Sequence, residues 1–192
     1  MPKPTGLGWP GPLLRLQTID STQDLAKRLA ESGGADRTLI IAERQTKGRG
    51  RLSRRWTSEP GGLYVSILFR PHISPRRLAE LSHVLAGAAA KAAARISGLA
   101  TAVKPPNDVL ARPRSGDSPW KKVCGILIEA SGNEKTEWVV VGLGLNVNNR
   151  VPPRLNHASS LRQLADKTFD LGEAERSLAA ALGSAYDSFL RR

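Results

Sequence analysis

Two apolar runs late in the chain, VCGILIEA (123–130) and WVVVGLGLNV (138–147), are separated by little more than SGNEKT. A connection that short returns the chain antiparallel to itself, because a parallel return needs a crossover of a dozen or more residues. One hairpin of two strong strands is thus imposed on whatever the rest forms. LYVSILF (63–69) is the clearest single strand, RTLIIAE (37–43) reads as a buried one, and LLRLQTI (13–19) and TAVK (101–104) suit shorter ones.

Helices fall irregularly between these runs. Ser21 is a cap, with Asp24 in the capping-box place, before Leu25, Ala26, Leu29 and Ala30, and Gly33-Gly34 ends the segment. Ser74-Pro75 opens a longer helix with Leu78, Leu81, Leu85, Ala88, Ala92 and Ile96 on one face, closed by Gly98. A short helix is expected near 160–166, and a last one with Leu178, Leu182, Ala185 and Phe189 aligned. PPND (105–108) must turn, and 111–121 reads as a loop from its composition. The pattern predicts an α+β fold with a mixed, largely antiparallel sheet packed with helices.

At 192 residues, one core is expected, over 13–192, preceded by a flexible lead-in at 1–12. No run approaches the ~18–20 apolar residues of a membrane span, so no membrane partner is expected. The lead-in lacks the apolar stretch of a signal peptide. A single cysteine, Cys124, excludes an internal disulfide and a cysteine-rich zinc site. His72, His83 and His157 lie in no metal spacing, so no metal ligands are assigned. A reducing cytoplasmic setting is the default.

The net charge is +12. Such an excess suits nucleic acid, phosphorylated ligands or an acidic partner. Its densest part is QTKGRGRLSRRW (45–56), where Lys47, Arg49, Arg51, Arg54 and Arg55 crowd nine residues with Gly48 and Gly50 between them. Glycine lets backbone N–H groups approach an anion, and arginine forks match carboxylate or phosphate oxygens; a solvated basic loop is the plain alternative. Mutual repulsion predicts that this loop is mobile until an anion arrives. Gly125, Gly142 and Gly144 interrupt strong strands, where glycine marks a bulge, tight packing or a ligand's close approach. Lys122 precedes one of these strands, where an ammonium can point into a site.

These segments together resemble the biotin–protein ligases. The matching stretches are IDSTQ (19–23), QTKGRGRLSRRW (45–56), GGLYVSILF (61–69), KPPND (104–108), KVCGILIEA (122–130) and VVGLGLNVNN (140–149). The resemblance implies the catalytic fold shared by biotin ligases and class II aminoacyl-tRNA synthetases. It also implies a two-step reaction. Biotin attacks the α-phosphate of ATP, which comes with Mg2+, and the biotinyl adenylate then reacts with a lysine of a biotin carboxyl carrier domain. By resemblance, Ser21, Thr22, Gln23 and Gln45 lie on the biotin head-group side, with Gly125 and Leu127 walling the apolar part. Gly48, Arg49, Gly50 and Arg51 would wrap the carboxylate and α-phosphate. Arg54, Trp56, Asn107, Asp108 and Asn146 fall on the ATP side. Lys122, Arg49 and Arg51 are the catalytic candidates, since cations there would neutralise charge developing at the reacting carboxylate and phosphorus.

The chain departs from the family pattern at Gln23, where asparagine is usual, at Pro105, where tryptophan is, and at Leu52-Ser53, which replace a more basic, glycine-containing pair. Extra residues separate Asn107 from Lys122. Neither a helix-turn-helix before the ligase-like part nor the family's small C-terminal β-barrel after it is expected, and with them no specific DNA partner; a homodimer stays open. The nearest rival is a lipoate or octanoate ligase or transferase of the same fold. A non-catalytic biotin- or nucleic-acid-binding module is the other, although aromatic residues are only 5% of the chain.

Overall fold

The computed structural model describes residues 7–115 and 117–192. Its centre is a seven-stranded sheet: β1 (Leu13–Ile19), β2 (Thr38–Gln45), β3 (Leu63–Phe69), β4 (Ala100–Lys104), β5 (Asp108–Arg112), β6 (Lys121–Ser131) and β7 (Trp138–Leu145). The spatial order is β1-β2-β3-β7-β6-β5-β4. Only β1–β2 is parallel among these neighbours; the rest are antiparallel, and for β4–β5, β5–β6 and β6–β7 the short connections require it. The predicted hairpin is β6–β7, with Ile126 opposite Leu143 and Gly125 opposite Gly144.

Side chains alternate across the sheet, so it has two distinct faces. On one, Val139, Val141, Leu143 and Leu145 of β7 join Val65, Ile67 and Phe69 in the main core. That core is closed by α2 (Leu78–Ser97) and α4 (Leu171–Leu190), which pack on one another. Phe69 stacks on Tyr186 of α4 at 3.7 Å between ring centroids. The opposite face carries one helix, α1 (Thr22–Glu31), whose Ala26 and Ala30 bury Ile40, Leu68, Trp138 and Val140.

Local signals explain the helix ends. Ser21 accepts a hydrogen bond from the Asp24 N–H at the start of α1, and Gly98 takes a left-handed φ of 73° to stop α2. The short α3 (Leu161–Ala165) opens with a full capping box between Ser160 and Gln163. Ser74-Pro75 instead starts a 3-10 turn over Pro75–Arg77, without a side-chain cap, and the α-helix begins at Leu78.

Two expectations need revising. Asp108 does not end a turn but begins β5, so the loop starts after Arg112. Five residues sufficed for this strand because it lies between β4 and β6, which satisfy its backbone on both sides. Of the expected lead-in, residues 1–6 lie outside the described residues, but Trp9 is buried beside α4 and its indole N–H donates to the Arg37 carbonyl at 2.6 Å. Burial of the Phe69–Tyr186 stack carries a direct expectation: Phe69→Ala should cost about 3–5 kcal/mol in urea unfolding, the usual range for emptying an aromatic core position.

Candidate active site

Helix α1 covers only part of its sheet face, and beyond it the sheet is the floor of a cleft of about 530 Å³. The residues of β7 that face this side are Trp138 and Val140, beneath α1, then Gly142 and Gly144, beyond its N-terminal end, and Asn146 continues the alternation just past the strand. Opposite Gly142 lie Ser66 and Leu127; opposite Gly144 lie Tyr64 and Gly125. The floor glycines are shaped for close approach. A Cβ on Gly142 would overlap Gln23 Oε1, one on Gly144 would overlap Trp56 Nε1, and one on Gly125 would lie 2.9 Å from the Trp56 ring.

Neutral polar groups gather at the α1 end. Gln45 Oε1 accepts from the Thr22 N–H at 2.8 Å and from the Thr22 hydroxyl at 3.0 Å, and Ser66 donates to Thr22 Oγ1 at 2.9 Å. Two residues along β7, over Gly144 and Gly125, lie Trp56 and Lys122. The Lys122 ammonium is 2.7 Å from Asp108 Oδ1 and 5.4 Å from the Trp56 ring centre. A further two residues on, Asn146 donates to the Ser159 carbonyl and accepts from Asn149 at 3.0 Å. The three positions span about 13 Å of strand.

Lys122 owes its aim to an irregularity. Gly125 pairs with Asp108 and Cys124 with Val109, but Leu110 pairs with Lys122, so Val123 is an extra residue. Strict alternation would send Lys122 to the opposite face from Gly125. The bulge instead lets Val123 and Cys124 both enter the main core and returns Lys122 to the cleft.

The basic stretch forms a hairpin across the cleft, with Gly50 N–H donating to the Arg54 carbonyl and Trp56 N–H to the Gly48 carbonyl. Its tip turns through Leu52 and Ser53, both left-handed at φ 53° and 58°, a conformation that strains L-residues and that glycine adopts freely. Four of the hairpin's five cations are already partnered. Arg49 meets Asp24 and Glu129, Lys47 meets Asp20, Arg51 donates to Asn107 Oδ1, and Arg55 donates to the Thr46 carbonyl. The repulsion that the sequence suggests is thus offset by carboxylates and carbonyls of the chain itself.

Of the sequence-derived site residues, Thr22, Gln23, Gln45, Arg49, Arg51, Arg54, Trp56, Asn107, Asp108, Lys122, Gly125, Leu127 and Asn146 all line this cleft. Two stand apart. Ser21 is buried with its hydroxyl spent on capping α1, and Gly48 is packed against the Trp56 carbonyl and Ser58, behind the cleft. Sequence reasoning missed the second wall, residues 149–158, including His157, whose carbonyl accepts from the Lys122 N–H at 2.9 Å. Its polar, proline-containing sequence carries no signal beyond that of a loop. Glu129 was also missed.

Residues 15–146 match the Biotin/lipoate A/B protein ligase family. The chain belongs to that family. The Bifunctional ligase/repressor BirA of Bacillus subtilis is 35% identical over 164 residues, which are 82% of this chain and 48% of that protein. The Biotin--[acetyl-CoA-carboxylase] ligase of Mycobacterium tuberculosis is 33% identical over 147 residues, 74% of this chain and 51% of that one. The chain therefore spans about half the length of these curated relatives. Among solved structures, the biotin protein ligase from Aquifex aeolicus in complex with biotin and ATP superposes with a TM-score of 0.77 at 33% identity, covering 94% of this chain and 72% of that one. The mixed sheet with its helices is thus the fold of the family's ligases.

Charge balance at this site has a measurable signature. Burial pushes the Glu129 carboxyl up, but hydrogen bonds from Lys27 and Gln23 and the charge of Arg49 outweigh it, leaving the group below its ordinary 4.5. A depressed carboxyl stabilises the folded state above the unfolded value, and that contribution disappears as pH falls through the folded one. Thermal midpoints should fall below pH 4.5 more steeply in the wild type than in Glu129→Gln. Separately, Gly144→Ala should push the Trp56 indole off the sheet, read as a red shift in tryptophan emission that is absent when Trp56→Phe is the background.

Proposed function

We propose that this chain is an ATP-dependent biotin–protein ligase. In the first step a biotin carboxylate oxygen attacks the α-phosphorus of ATP, pyrophosphate leaves, and biotinyl-5′-AMP forms. In the second, the amine of a lysine on a biotin carboxyl carrier domain attacks the acyl carbon, AMP leaves with its electron pair, and the amine gives up a proton as the amide forms.

The observation that carries this reading is the order of groups along β7. Hydroxyls and carboxamides at Gly142 suit the neutral ureido ring of biotin, and Leu127 with the Trp56 ring packed on Gly144 and Gly125 suits its apolar body. Lys122, Arg49 and Arg51 line the same cleft where a carboxylate and an α-phosphate would have to meet. Holding two anions together needs cations fixed in advance, which both lowers their repulsion and aligns them. Asn107, Asn146, Arg54 and Trp56 are the nucleotide-side candidates.

No protein nucleophile is needed, and Cys124 is unsuited to being one, since it is buried and its thiol is pushed up by desolvation. That single buried thiol suits a reducing cytoplasm, and no described helix is long and apolar enough to cross a membrane. Magnesium travels with ATP in this reading. Among the described residues no three His, Cys, Asp or Glu side chains converge, so phosphate oxygens and water would be its ligands.

Pyrophosphate exchange into ATP, run separately with biotin, lipoate and octanoate, tests the first step, and labelling of a carrier domain tests the second. Exchange is expected with biotin alone. Exchange driven instead by lipoate or octanoate would reassign the head group, and none with any of the three would end the proposal. Lys122→Ala and Arg49→Ala should each slow biotin-dependent exchange by at least about tenfold, as losing a preorganised electrostatic contact commonly costs a few kcal/mol.

A further inference from the structure

Glu129 stands where α1 meets the basic hairpin, on the site-bearing face of β6 two residues beyond Leu127. Its carboxylate is held from three sides. Lys27 Nζ lies 2.9 Å from Oε1, Gln23 Nε2 donates to Oε2 at 2.9 Å, and Arg49 reaches both oxygens, Nη1 to Oε2 and Nη2 to Oε1, each at 3.1 Å. Asp24 accepts a further bond from Arg49 Nη1 at 2.7 Å.

A guanidinium carries five N–H hydrogens in one plane, arranged as an end-on fork of Nη1 and Nη2 and a side-on fork of Nε and Nη2. Glu129 fills the end-on fork, and Asp24 takes the outer hydrogen of Nη1. What remains is the side-on pair, the Nε hydrogen and the second hydrogen on Nη2, which meets no acceptor among the described residues. Arg49 lines the cleft, so a carboxylate or phosphate entering there meets a two-hydrogen edge whose plane is set from behind.

Charge does not oppose this arrangement. The two acids, Asp24 and Glu129, are matched by Lys27 and Arg49. An incoming anion therefore meets oriented donors rather than the repulsion of a bare carboxylate. Lys27 shares Oε1 of Glu129 with Arg49 Nη2, so the acid is tied to α1 as well as to the hairpin.

We propose that Glu129 is a positioning residue: by gripping the end-on fork of Arg49 it turns the side-on fork toward the carboxylate of biotin. This rests on the ligase reading above, with biotin as the acid that enters.

Calorimetry with biotin and with its primary amide, together with steady-state exchange kinetics, tests the proposal on the full chain. Glu129→Gln puts an amide NH2 against Arg49 and should weaken biotin about tenfold, the scale of one charge-assisted bond. It should weaken the amide by less than about threefold, because that ligand brings no carboxylate to the fork. The KM for biotin should rise with little change in kcat. Lys27→Met, which removes a partner of Glu129 but not of Arg49, is the control and should leave the preference for acid over amide intact. Should Glu129→Gln fold poorly, Glu129→Asp keeps the charge, draws it back from Arg49, and should reduce the same preference. Equal weakening of acid and amide, or no weakening of either, would overturn the positioning role. Failure of the wild type to bind biotin at all would instead overturn the ligase reading.

Discussion

The incomplete cover of one sheet face by α1 is the constraint on which the site depends. A two-faced sheet must bury both faces, and here two twenty-residue helices close one side while a ten-residue helix closes only part of the other. The uncovered part cannot be apolar without exposing a patch to water, and in its centre it carries almost no side chain at all. Where α1 lies over β7 the residues are Trp138 and Val140; where it stops they become Gly142 and Gly144. The change from large to absent side chains along one strand is what makes a cleft out of a sheet.

The electrostatics follow from the same geometry. Because the N-terminal end of α1 meets the glycine floor, Gln23 and Asp24 stand beside the basic hairpin, and Glu129 on β6 reaches them from below. The hairpin's positive charge is therefore organised by acids on rigid elements, not merely concentrated. Such organisation separates a binding site from a charged surface, since an unpaired exposed arginine samples many orientations and offers any single one at an entropic cost.

Much of this was legible from residues alone. The β6–β7 hairpin, the two long helices and the concentration of charge in the basic loop follow from short connections, helical spacing and charge density, which are local properties; that the loop is itself a hairpin does not. The glycines were legible as a group, although not what rests on them. What escaped depends on long-range pairing. β5 is too short and too near proline to declare itself, and it exists because β4 and β6 flank it. Ser21 reads equally well as a cap and as a ligand contact, and burial made it a cap. Glu129 looks like an ordinary strand-end acid until α1 brings Lys27 and Gln23 to it across a hundred residues of chain.

The extra residue at Val123 carries a consequence for how this protein can vary. Val123 and Cys124 are both held in the interior, so the spacing from Lys122 to Gly125 decides which side of the sheet receives an ammonium group. Exchanging one small apolar residue for another within that stretch alters packing by a methyl group or two. Straightening the bulge with all four residues kept would turn the lysine into the apolar core, where an unpaired full charge is costly. Losing Val123 or Cys124 instead restores plain alternation and leaves it facing the cleft. Over these four positions, the irregularity of the strand and the number of residues have to match, whichever small apolar side chains fill them.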